Sequence, residues 1–168
     1  MANAPQPASE VAWRNGLVAM DRRGYKESIA LFQQAIDLER QEGTTKTPKM
    51  KFVSYLGLAL TLSQGKSDEG RRLCEQAVKR EFFDPDLYCN LGIVYLRHRM
   101  KAPAFEAFQK GLNLKPGHAR ILDELEKYDR RGEPFFAFLP RAHLLNRMAG
   151  RVRYRLRVLF DGAAAQQT

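Results

Sequence analysis

The sequence predicts an all-α protein built from repeated antiparallel helix pairs, and three observations carry that reading. Small and apolar residues recur at spacings of three and four, which places them on single helix faces. Tyr88, Leu91, Gly92 and Tyr95 do so in one run, and Ala104, Phe108, Gly111 and Leu112 in the next. Glycines recur at long intervals: Gly57 lies 41 residues after Gly16, and Gly92 lies 35 after Gly57. Finally, the runs are divided by short breaks rich in glycine, proline and polar residues, at 22–24, 43–48, 64–66 and 116–118.

The best-formed unit runs from Pro85 to Pro116. Pro103 falls where a second helix would start, a place that needs no backbone N–H. Small residues at Gly92, Ala104 and Gly111 allow two helices to approach closely, and Tyr88, Tyr95 and Phe108 fill the space between them. With Tyr88, Leu91, Gly92, Tyr95, Ala104, Phe108 and Pro116 in place, this unit resembles the tetratricopeptide repeat, a helix–turn–helix of about 34 residues. Gly111 stands where that family usually has alanine. The resemblance implies a right-handed superhelical stack of three helix pairs.

In chain order, residues 1–8 read as a disordered N-terminus. Ser9 and Glu10 can start a helix holding Trp13, Gly16 and Met20, with Gly24 at its C-terminal break. A second helix follows from Tyr25, with Ser28, Phe32, Ala35 and Ile36 on one face. Gly16, Ser28, Phe32 and Ala35 fit the repeat; Asn15 and Ala19 depart from it. The second repeat spans about 49–83, with Leu56, Gly57, Gly70, Cys74 and Ala77 in register. The first junction therefore carries roughly seven extra residues, as a longer helix or a loop, measured against the usual repeat length. Residues 119–131 form an amphipathic capping helix, which closes the array at 9–132.

The segment 133–168 differs. Phe135, Phe136, Phe138 and Leu139 make a short apolar patch, and a basic amphipathic helix follows. It carries Arg141, Arg147, Arg151, Arg153, Arg155 and Arg157 with no acid between Arg141 and Phe160, and an apolar line of Leu145, Met148, Val152, Leu156 and Leu159. Net charge is +9 over 168 residues. Three roles fit this helix: a further cap on the array, attachment to an anionic membrane surface, or binding of nucleic acid or an acidic protein. Nucleic acid is the weaker of these, because Tyr154 alone is aromatic among the arginines.

No catalytic constellation emerges. His98, His118 and His143 are scattered, no glycine-rich phosphate loop is present, and no residue set has metal-ligand spacing. The expectation is therefore no cofactor, no metal and no enzyme. Cys74 and Cys89 fall on helical runs and read as reduced and semi-buried. With no basic, apolar N-terminal signal and no run of about 18 apolar residues, the expected compartment is the cytoplasm.

In arrays of this family the first helix of each pair lines a concave groove. Carried onto this sequence, the groove positions are Trp13, Leu17 and Met20, then Lys51, Ser54, Tyr55, Leu58 and Thr61, then Asp86, Cys89, Asn90, Ile93 and Arg97. One subset of the family clamps C-terminal carboxylates with lysines, asparagines and an arginine. Here those places hold Trp13, Leu17, Tyr55, Asp86 and Asn90, so the paired cations are missing. The groove instead suits an apolar helix or an extended segment. The expected function is a non-catalytic adaptor or scaffold for another protein or peptide. The alternatives are a membrane- or nucleic-acid-associated accessory protein and a small secretion-type chaperone. Such chaperones are typically acidic, which the charge of +9 opposes.

Overall fold

A computed structural model describes residues 6–42, 48–65 and 67–130. The expectations for residues 1–5, for the apolar patch at 135–140 and for the basic helix carrying Arg141, Arg147, Arg151, Arg153, Arg155 and Arg157 lie outside the described residues.

All elements among the described residues are helices: α1 (Ala8–Asp21), α2 (Tyr25–Glu42), α3 (Met50–Gln64), α4 (Asp68–Arg80), α5 (Pro85–Arg97), α6 (Lys101–Leu114) and α7 (Ala119–Arg130). The chain divides into two compact units, with the boundary after Leu122. The first holds three antiparallel pairs, α1–α2, α3–α4 and α5–α6, and the opening turn of α7. The pairs stack in order, and α3 sits at the centre against α2, α4 and α5. The second unit begins at Asp123; within it Lys127 pairs with Glu124 at 2.8 Å, one helical turn away.

Glycine sets the closeness of each pair. A Cβ on Gly16 would meet the Phe32 ring at 2.5 Å, and one on Gly92 would overlap the Phe108 ring. The middle pair reaches the same approach with smaller groups. Gly57 faces the backbone of Gly70 and the Cys74 thiol, so cysteine stands where its neighbours use phenylalanine. Around these contacts Phe32, Phe52, Leu87 and Phe108 are fully buried. Burying such side chains contributes about 1.5–3 kcal/mol each, which is why the stack holds.

Local capping differs from the expectation at the first helix. Ser9 does not cap α1, which begins at Ala8. Instead the Ser9 backbone N–H and hydroxyl both donate to the Glu42 carboxylate, at 3.2 and 2.9 Å. The start of α3 is likewise capped from a distance: Lys49 N–H donates to Glu39 Oε2 at 2.7 Å, and Met50 N–H to Glu81 Oε1 at 3.2 Å. Free N–H groups at a helix start need acceptors, and here neighbouring glutamates supply them. By contrast α4 and α5 are capped locally. Ser67 accepts from Gly70 N–H at 3.1 Å and Asp84 from Asp86 N–H at 2.8 Å, with Pro85 in the first turn of α5.

Two further details correct the sequence reading. The break after α1 turns on Arg23 in the left-handed region, φ 62°, rather than on Gly24; Arg99 does the same after α5, φ 61°. Pro103 lies third in α6, not first, still within the turn whose N–H groups lack intrahelical partners. Part of the extra length at the first junction lies in α2, which has 18 residues against 13 in α4 and 14 in α6.

Candidate functional site

The face formed by α1, α3 and α5 carries the residues expected to meet a partner. Its middle is aromatic. The Trp13 ring lies 6.0 Å from Phe52 and 5.9 Å, edge-on, from Tyr55. Lys51 places its ammonium 4.3 Å from the Trp13 ring centroid and pairs with Glu10 at 2.9 Å. Glu10 also pairs with Lys49 at 2.7 Å. Burial pushes the Glu10 pKa up, but the hydrogen bonds and charges of the two lysines outweigh it, and the net shift is downward.

The structure separates the expected residues into three groups. Trp13, Leu17, Met20 and Ile93 are partly buried, packed on the two core clusters with part of each side chain still accessible. Lys51 is partly buried and Arg97 exposed. Leu58 is different: at 1% exposure it belongs to the core with Cys74, Leu91, Val94 and Ala107. Tyr55 and Asn90, at 8% and 0%, are also covered. Ser54, Thr61 and Cys89 are buried as well; Thr61 turns back to donate to the Gly57 carbonyl at 3.0 Å.

What covers Tyr55 and Asn90 is Arg120, which the sequence reading did not single out. Its Nη1 donates to the Tyr55 hydroxyl and to Asp86 Oδ1, each at 2.7 Å, and its Nη2 donates to Asn90 Oδ1 at 2.8 Å. The guanidinium carbon lies 5.3 Å from the Tyr55 ring centroid. Asn90 passes the network on, donating from Nδ2 to Ser54 Oγ at 3.1 Å. Burial above all pushes the Tyr55 phenol up to about 12, so it stays protonated. His118, 5% exposed, adds Nε2 3.4 Å from Asp86 Oδ1. Its Nδ1 accepts from Ile121 N–H at 3.4 Å at the start of α7.

The expectation of a face without a paired cation is therefore amended. The clamp positions themselves are neutral or acidic, but α7 brings a cation to them, and Asp86 neutralises it. The missed signal is one of register. Arg120 lies 34 residues after Asp86, one repeat step, so α7 opens as the first helix of a fourth repeat would.

No protein-family model matches this sequence, and no curated protein matches it. Solved structures do. MamA superposes with a TM-score of 0.58 at 19% identity, over 94% of this chain and 82% of that one. The Arabidopsis OM64 TPR domain gives 0.56 at 18% identity, over 75% and 97%. The Sgt2 TPR domain from Aspergillus fumigatus gives 0.52 at 22% identity, over 86% and 96%.

The chain has the tetratricopeptide-repeat fold. Its three repeats are α1–α2, α3–α4 and α5–α6, and the face described above is made by the first helix of each. The tetratricopeptide similarity brings no support for a membrane or nucleic-acid partner. Among the described residues no helix is long and apolar enough to cross a membrane, and no group of three or more His, Cys, Asp or Glu could hold a metal ion.

Proposed function

We propose that this chain is a non-catalytic adaptor that holds a segment of another protein along the face of α1, α3 and α5. The observation that supports it most is the arrangement of that face. Trp13, Leu17 and Met20 on α1 and Ile93 on α5 are partly accessible, and Lys51 on α3 and Arg97 on α5 add accessible cations. An apolar helix or extended strand with a few acidic groups matches such a surface. Leu58, Tyr55 and Asn90 act one layer deeper: Leu58 as core, and the other two by fixing Arg120. Two side chains capable of acid–base or nucleophilic chemistry, His98 and Cys74, have partners within the fold. His98 contacts the Ser67 carbonyl at 3.2 Å, and Cys74 donates its thiol proton to the Ser54 carbonyl at 3.3 Å.

The test is co-purification of the full chain from native lysate beside the variant Leu17→Asp/Ile93→Asp. A protein that accompanies the wild type should be lost from the variant, with thermal unfolding of the variant still cooperative. A partner that is kept would place the interface elsewhere on the chain.

A further inference from the structure

The three helix pairs share one register, and that register defines a surface at the outer side of α1. Five residues before the close-packing glycine stand Val11, Phe52 and Leu87; one before it stand Asn15, Leu56 and Leu91; two after it stand Val18, Ala59 and Val94. In α3 and α5 these six positions are at most 7% exposed, because the preceding pair covers them. Phe52, Leu56 and Ala59 share a cluster with Phe32, Ala35 and Ile36 of α2. Leu91 and Val94 share one with Leu58 of α3 and Cys74 of α4. Among the described residues no helix precedes α1. There Val11 is 44% and Val18 58% exposed, and Asn15 is exposed between them. The strip thus has the form that receives a helix in the other two pairs.

Charge and symmetry narrow the occupant. The strip itself is uncharged. Arg14 turns back along the chain, donating to Gln6 Oε1 at 2.7 Å, and Arg22 pairs with Glu27 at 3.0 Å. An acidic segment gains no cation here, unlike on the face of α1, α3 and α5. The apolar line near the C-terminus brings six arginines, which have no acid on the strip to meet. A second α1 does match. Val11 and Val18 lie seven residues apart, about two turns, and equally far on either side of the Arg14–Asn15 peptide bond. An antiparallel copy of the helix therefore sets each Val11 on the other copy's Val18 and brings the two Asn15 amides together at the centre. Such a contact is self-complementary, as a two-fold interface requires. A central asparagine pair also fixes the register, because an amide both donates and accepts.

We propose that the outer strip of α1, Val11, Asn15 and Val18, is a self-association surface on which two copies of this chain pair antiparallel about a two-fold axis. Trp13, Leu17 and Met20 stand about half a turn away on the same helix. Pairing therefore leaves the face of α1, α3 and α5 uncovered and gives the assembly two of them, so that a partner with two segments is held more tightly than by one chain. The strip is short, which makes the pair a concentration-dependent one rather than an obligate dimer.

The experiment is sedimentation equilibrium of the full chain over a wide range of concentration. The average mass should rise from one chain towards two, and high salt should not reverse it, since the contact is apolar. Val11→Asp/Val18→Asp changes only exposed side chains; it should weaken pairing by about tenfold or more while unfolding remains cooperative. Position is read from Asn15→Cys, which should form a disulfide-linked dimer under mild oxidation, because Cys74 and Cys89 are buried. Lys110→Cys, exposed on α6, is the control and should not. Three results would overturn the proposal: a single chain at every concentration, pairing undiminished in the double aspartate variant, or a disulfide dimer from position 110 and none from position 15.

Discussion

Arg120 and Asp86 lie one repeat apart in the sequence and meet at 2.7 Å, joining the first turn of α7 to the first turn of α5. The pair is half exposed, with side-chain exposures of 38% and 43%, so its Coulomb energy alone is small. Its weight comes from what else the guanidinium satisfies. Asn90 is fully buried, and its Oδ1 has Arg120 as donor.

Removing Arg120 therefore leaves a buried acceptor without a partner. Arg120→Ala should cost about 1–3 kcal/mol in chemical denaturation, the usual penalty for such a group. Asp86→Ala should cost less, because Tyr55 and Asn90 keep the guanidinium in place. Equal losses in the two variants would mean that the ion pair, not the buried amide, carries the stability.

Gly92 should tolerate no side chain. Even the alanine methyl group would overlap the Phe108 ring. Gly92→Ala should cost about 1–3 kcal/mol by overpacking, and Gly92→Leu more. Gly117, with nothing within 4 Å of a Cβ, serves as the control. A Gly92→Leu protein as stable as the wild type would show that the α5–α6 pair is not packed this way.

Glu10 links the first two repeats to pH. Its pKa is lowered in the folded chain by Lys49 and Lys51, acting against burial. A depressed carboxylate contributes stability above its unfolded pKa and loses it as pH falls through the folded value. Wild type should therefore exceed Glu10→Gln in stability at neutral pH, and the difference should shrink as acid protonates Glu10. A difference that stays constant down to low pH would assign the effect to packing.

Both cysteines are fully buried, and burial above all pushes the Cys74 thiol up to about 12. A thiol-reactive dye should label the native protein slowly and the unfolded protein at once, since only the thiolate reacts. Rapid native labelling at Cys74 would contradict the tight Gly57–Cys74 contact.

The repeat architecture was legible from the sequence because its cause is local. Gly16, Gly57 and Gly92 mark close helix pairs at near-regular intervals, and Phe32 and Phe108 follow at fixed distances. The long-range caps were not legible. Nothing in the local sequence singles out Glu39, Glu42 and Glu81, and only the fold brings them to the starts of α1 and α3. The sequence named positions for the candidate face but not their depth. Leu58 shares the register of Ile93, yet helix packing buries Leu58 and leaves Ile93 partly accessible. Arg120 was missed because an amphipathic pattern shows which side of α7 is polar, and says nothing of a polar side chain that reaches back to α3 and α5.

The proposed binding face is tested most directly by site-specific photocrosslinking. A photoreactive residue is placed at Ile93, on the face of α1, α3 and α5, or at Leu114, which is 45% exposed near the end of α6. Each chain is irradiated in native lysate. Adducts to a partner protein from position 93, with none from position 114, are the predicted result. Adducts from position 114 and none from position 93 would contradict it.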